Sequence, residues 1–188
     1  MLKERFDKAE EMILKRTFRK NIGFEEAYYI FDYEPTQELY VRERIELLRK
    51  NGEGAGLHIA VFDLYDIIIQ ILKEKGNGFL EKNFAFEQKS GLERVTKAIS
   101  SMLRVTSSDN LMVRYIEEHS KDADVIFLTG IGKCYPLFRS HNVLNNLNTV
   151  VQNIPVVMFY PGNYDGQSLI LFSQVKDDNH YRAFKLVD

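Results

Sequence analysis

The chain has 188 residues, 45% of them hydrophobic and 28% charged, enough for one domain to bury a core without disulfides or metals. A formal net charge of −2 excludes a global electrostatic footprint for nucleic acid, although a local basic stripe is compatible with it. The single cysteine, Cys134, excludes a disulfide framework and any cysteine-based zinc site within one chain.

Leu2 to Thr17 is read as a charged helix, with Phe6, Ala9, Met12 and Ile13 spaced along one side. Its basic residues interleave with Glu4, Asp7, Glu10 and Glu11, which describes a solvated amphipathic face. Tyr28 to Phe31 predicts a first strand, followed by the turn Asp32-Tyr33-Glu34-Pro35. Thr36 is placed to cap a helix reaching Lys50, which Asn51-Gly52 is expected to stop. Leu57 to Phe62 predicts a buried strand, and Leu64 to Lys75 a helix with Asp63 as its cap. From Phe79 to His119 the pattern predicts further helices, broken near Ser90-Gly91 and Ser107-Ser108-Asp109, with Asp109 capping the last.

Asp124 to Thr129 predicts a third strand, Leu137 to Val150 a helix, and Ile154 to Tyr160 a fourth strand. Pro161 to Gly166 has the composition of a turn, Ser168 to Phe172 that of a fifth strand, and the residues from Asp178 on that of a short strand or an ordered tail. This alternation predicts an α/β fold: a single domain over residues 1–188 with a mostly parallel sheet of about five strands flanked by helices. A helical insertion lies between strands two and three, and the short fourth-to-fifth connection predicts a C-terminal antiparallel edge hairpin. No apolar run reaches the roughly 18 residues of a membrane span and the charged N-terminus is unlike a signal peptide, so a cytoplasmic location is expected.

Each chemical motif has a plainer structural reading. Gly130-Ile131-Gly132-Lys133 suggests a phosphate loop, but Phe127 stands where an earlier glycine is needed and Cys134 where the magnesium-binding hydroxyl belongs. Tyr135 occupies the third glycine position of the dinucleotide fingerprint. A tight strand-to-helix turn needing small residues accounts for this loop. Asp32, Glu34 and Asp63 fall near strand ends, where carboxylates can hold magnesium, but turn and capping chemistry explains them as well. Glu87-Gln88-Lys89 has a nuclease-like spacing on a helical rather than a strand segment. Ser140-His141 lacks the positioned acid of a triad.

What remains is a polar surface between Asp124 and Asp188. Arg139, Asn142, Asn145 and Asn146 share one side of a predicted helix, with His141 adding to the cluster; asparagine is a poor helix former, so its abundance there points to contacts. Thr129 and Lys133 lie on the preceding loop, and Tyr164 on the predicted turn is a candidate aromatic anchor. The tail contributes Asp177, Asp178, Tyr181 and Arg182; adjacent residues of an extended segment point apart, so a metal string is not expected.

The strings Leu128-Thr129-Gly130-Ile131-Gly132, Tyr135-Pro136, Arg139-Ser140-His141-Asn142-Val143-Leu144-Asn145-Asn146-Leu147, Pro155 to Gly162 and Asp177 to Phe184 closely resemble the BrxB family of BREX (bacteriophage exclusion) phage-defence systems. The resemblance spans nearly the whole chain and is most distinctive in this C-terminal part. It implies a cytoplasmic component acting with other BREX proteins: the alkaline-phosphatase-like PglZ, an AAA-type ATPase and an adenine-specific DNA methyltransferase. It implies no catalytic residues and no cofactor. The expected function is therefore a non-catalytic interaction subunit that docks PglZ, the foremost partner, through part of the Asp124–Asp188 surface. Its rivals are a nucleotide or nucleic-acid module using Thr129 to Lys133, Arg139 and the N-terminal basic residues, and a metal-dependent hydrolase using Asp32, Glu34 and Asp63.

Overall fold

Four apolar runs become neighbouring parallel strands because helices cover both faces of the sheet they form. In the computed structural model, which describes residues 1–20, 28–138, 140–151, 153–177 and 183–188, these are β1 (Tyr28–Tyr33), β2 (Ile59–Asp63), β3 (Val125–Thr129) and β4 (Val156–Tyr164). With the short β7 (Phe184–Lys185) they run in the order β2-β3-β4-β1-β7, every pair parallel. Residues Val125 to Leu128 are all buried, as a two-sided sheet requires.

Alternation sends successive side chains into two cores. Val125 and Phe127 meet α1 (Leu2–Leu14) and α3 (Glu38–Gly54) through Phe6, Ala9, Ile13, Val41, Ile45 and Leu48. Ile126 and Leu128 meet α4 (Leu64–Glu74), α7 (Leu111–His119) and α8 (Ser140–Val150) on the opposite face. A short α2 (Arg16–Lys20) follows α1, and α5 (Phe79–Ser90) with α6 (Leu92–Met102) forms the insertion between β2 and β3. The expected three-layer α/β domain is present.

Several local expectations change for identifiable reasons. The N-terminal helix divides at Lys15, whose backbone is extended. Thr36 caps nothing; it sits in a 3-10 turn over Pro35–Gln37, and Gln37 occupies the N-cap of α3. Asn51-Gly52 does not stop α3, which continues to Gly54. A Cβ at buried Gly52 would meet the Ile59 side chain at 2.5 Å, so this glycine lets α3 approach β2. Asp63 caps α4 as expected, its Oδ1 accepting the Tyr65 and Asp66 amides at 3.1 and 3.2 Å. For α7 the cap is the buried Asn110, which accepts from Met112 N at 2.9 Å, while Asp109 pairs with Arg104 and Arg114.

The expected turn over residues 161–166 is largely strand. β4 runs on to Tyr164 and pairs antiparallel with β5 (Leu169–Leu171), which in turn pairs with β6 (Val175–Asp177). A Cβ at Gly162 would lie 2.0 Å from the Ile170 carbonyl oxygen, so only glycine permits this approach. Because β4 is an interior strand, the hairpin prolongs the middle of the sheet past its parallel neighbours instead of flanking a side.

Candidate functional site

At the carboxyl ends of the strands, the chain leaves β1 toward α3 on one face and leaves β2 and β3 toward the helices of the other. Open α/β sheets place ligands where such connections diverge. Here the divergence opens a cavity of about 210 Å³, bordered by Tyr33, Glu38, Arg42, Asp63, Thr129 and Gly130. The Tyr33 hydroxyl donates to the Glu38 carboxylate, and Arg42 Nε donates to Glu38 Oε1 at 2.8 Å. Burial, reinforced by Glu38, pushes the Tyr33 hydroxyl far above its ordinary pKa, so it stays a proton donor.

The Gly130 to Lys133 loop is built around Asp63. Its Oδ2 lies 2.6 Å from Lys133 Nζ while Oδ1 caps α4, so one carboxylate ties the loop to the helix. Gly130 has φ +74°, and a Cβ there would sit 2.3 Å from Asp63 Oδ1. At Gly132 an added Cβ would meet the Phe172 ring at 2.8 Å. Both glycines thus serve close packing, and the lysine that a phosphate loop would aim at its ligand is paired with a carboxylate. Cys134 is buried, and burial, with Asp63 nearby, raises its thiol pKa. Gly130→Ala is expected to cost about 2 kcal/mol through left-handed strain and loss of the Asp63 cap. Thermal unfolding should fall by roughly 6 °C; an unchanged midpoint would mean that Asp63 does not hold this loop.

The three strand-end carboxylates do not converge. Asp32 is buried on Arg5 and the Tyr164 amide, Glu34 is exposed, and Asp63 is engaged as described. Among the described residues no group of three or more His, Cys, Asp or Glu is placed to hold a metal ion.

Of the C-terminal polar surface, the described side chains on α8 are Asn142, Asn145 and Asn146. In α8, Val143, Leu144 and Leu147 are buried, Asn145 is exposed, and Asn142 and Asn146 are half-buried, with Asn146 Nδ2 donating to the Asn142 carbonyl at 2.8 Å. Tyr164 is corrected from an exposed anchor to a core residue. Its continuation of β4 turns the ring inward, with the hydroxyl 2.7 Å from the Ala183 carbonyl and 3.0 Å from that of Gly166. Arg139, Asp178, Tyr181 and Arg182 lie outside the described residues, as do the side chains of His141 and Asp177.

A second surface is not anticipated by the motifs. Helix α5 has no fully buried residue, and α6 buries only Val95. Phe84 and Leu92 are 52% and 57% exposed, and Phe86 is also exposed. Between this insertion, α4 and the loop after β3 runs a groove with a cavity of about 190 Å³, lined by Tyr65, Leu80, Phe84, Leu92, Tyr135 and Pro136. The available signal was Phe79, Leu80, Phe84 and Phe86 in one short helix, more apolar surface than one stripe can bury.

The profile of the family described as "BREX protein BrxB" matches residues 60–186. A BREX protein BrxB of Bacillus cereus (strain H3081.97) is 46% identical over an alignment covering 100% of this chain and 98% of the relative. A BREX protein BrxB of Escherichia coli O9:H4 (strain HS) is 32% identical, covering 100% of this chain and 92% of the relative. No solved structure matches.

Proposed function

Because the chain belongs to the BrxB family, and so to the components of BREX systems, we propose that it serves as a non-catalytic interaction subunit that docks the phosphatase-like PglZ protein. The observation that carries this is the α5–α6 insertion, whose aromatic groove is left open although it packs against the core. Apolar side chains exposed together in a groove bounded by polar residues suit a protein partner. The groove also takes its Tyr135 and Pro136 wall from the stretch in which the family resemblance is most distinctive.

Co-purification with PglZ tests it. The two folded proteins should form a complex at micromolar concentration, and Phe84→Glu combined with Leu92→Glu should weaken it at least about tenfold by burying unpaired charge in the contact. Both positions are exposed, so the thermal midpoint should move by no more than a few degrees. No complex between the two folded proteins would reject PglZ as the partner. Undiminished binding by the double variant would reject the groove.

A further inference from the structure

The cavity of about 210 Å³ at the carboxyl ends of β1, β2 and β3 keeps hydrogen-bonding capacity that the chain leaves unspent. Glu38 Oε1 accepts from Arg42 Nε at 2.8 Å, and Glu38 Oε2 accepts from the Tyr33 hydroxyl. A carboxylate oxygen can accept twice, so each oxygen of Glu38 retains one acceptor site. Arg42 Nη1 and Nη2 have no acceptor among the described residues. Arg42 follows Glu38 by one turn of α3, so acceptor sites and a two-pronged donor lie side by side on one wall. Buried Val41, Ile45 and Phe159 border the same space with apolar surface.

Charge and size narrow the occupant. Among the described residues, the carboxylates of Glu38, Glu46 and Asp63 border the cavity against one guanidinium, which disfavours an anionic group inside it. A cation is disfavoured as well. Each of those carboxylates already has a basic partner, at 2.8, 2.8 and 2.6 Å respectively, and the unspent groups belong to the positively charged Arg42. The volume lies below the roughly 300 Å³ at which pockets for drug-sized molecules begin, so one flat, uncharged ring system fits. Its edge must offer two donors beside two acceptors. Guanine does so along N2–H, N1–H, O6 and N7, and no other common nucleobase has that order.

We propose that this cavity binds the guanine base of a free nucleotide, with N1–H and N2–H donating to Glu38 and with O6 and N7 accepting from Arg42. The arginine fork matches the O6/N7 edge in spacing and direction. Sugar and phosphate stay in solvent, away from the carboxylates. The cavity shares no described lining residue with the α5–α6 groove, so the proposal stands independently of what docks there.

Calorimetric titration with GMP and AMP, which differ only in the base, tests it. GMP should bind saturably in the millimolar range or tighter, and AMP at least about tenfold more weakly. Arg42→Lys keeps the charge but loses the fork, and should weaken GMP binding at least about tenfold. The Arg42 side chain is 49% exposed, so the thermal midpoint of that variant should move by no more than a few degrees. Phe84→Glu combined with Leu92→Glu should leave GMP binding unchanged, which separates this site from the groove. No saturable GMP binding by the folded protein would overturn the proposal. Equal binding of GMP and AMP would overturn the assignment of the base, and undiminished binding by Arg42→Lys would overturn the site. A short single strand of DNA with one guanine that binds more tightly than GMP would overturn the free nucleotide as ligand.

Discussion

Replacing Asp32 by alanine is expected to destabilise the protein by about 3 kcal/mol, among the largest effects of any single polar change, because it strands a cation that three parts of the chain enclose. Asp32 lies at the end of β1, and its side chain is 10% exposed. Arg5 Nη2 donates to Asp32 Oδ1 at 2.6 Å, while Nη1 donates to the Asp32 carbonyl at 2.7 Å, a two-point grip between α1 and β1. The second carboxylate oxygen accepts the Tyr164 amide at 3.0 Å, which anchors the extension of β4. Lys185 Nζ approaches the same oxygen at 3.8 Å from β7. Removal of the carboxylate therefore leaves the Arg5 guanidinium partly buried without its counter-charge and the Tyr164 N–H without its acceptor. For a chain of this length the thermal midpoint should fall by about 10 °C in calorimetry. A shift below about 2 °C would show that the cluster is not a structural tie.

Phe6→Ala is expected to cost about 4 kcal/mol, the range for deleting a buried aromatic ring. Phe6 is fully buried between α1 and the sheet, its ring centroid 4.5 Å from Phe31 and 6.2 Å from both Phe159 and Tyr40. Phe159 also meets Phe127 edge-to-face, so one loss opens a cavity against a linked aromatic set on β1, β3 and β4. Chemical denaturation should show a lower midpoint with an unchanged slope, since the same surface is exposed on unfolding. Wild-type stability in this variant would mean that α1 repacks freely. Phe6 is adjacent to Arg5, so the Phe6→Ala and Asp32→Ala effects share a helix and should not add.

Much of the element order was legible from residues alone. Val125 to Leu128 read as a buried strand because a run apolar at every position suits only a sheet covered on both faces, and each of those residues is buried. Asp63 read as a cap because a carboxylate stood directly before a periodic helical run. Composition misled where the partner was distant. Pro161 to Gly166 looked like a turn, yet β5 supplies hydrogen bonds that extend β4 through it, and Gly162 is a contact point with Ile170. Gly52 looked like a helix stop but accommodates Ile59. Tyr164 looked like a surface anchor because nothing local to it announced the carbonyl of Ala183.

By itself the sequence determined the class of fold, the helical insertion and, through its C-terminal strings, the family to which the chain belongs. Those properties rest on local periodicity and on patterns that need no third dimension. Only the tertiary structure decided the strand order that leaves β2 at an edge, the pairing of Lys133 with Asp63, and the exposure of Phe84 and Leu92. Lys133 and Asp63 lie 70 residues apart in the sequence yet 2.6 Å apart in space. An apolar side chain belongs to the core or to an interface according to what covers it, and that cover comes from elsewhere in the chain.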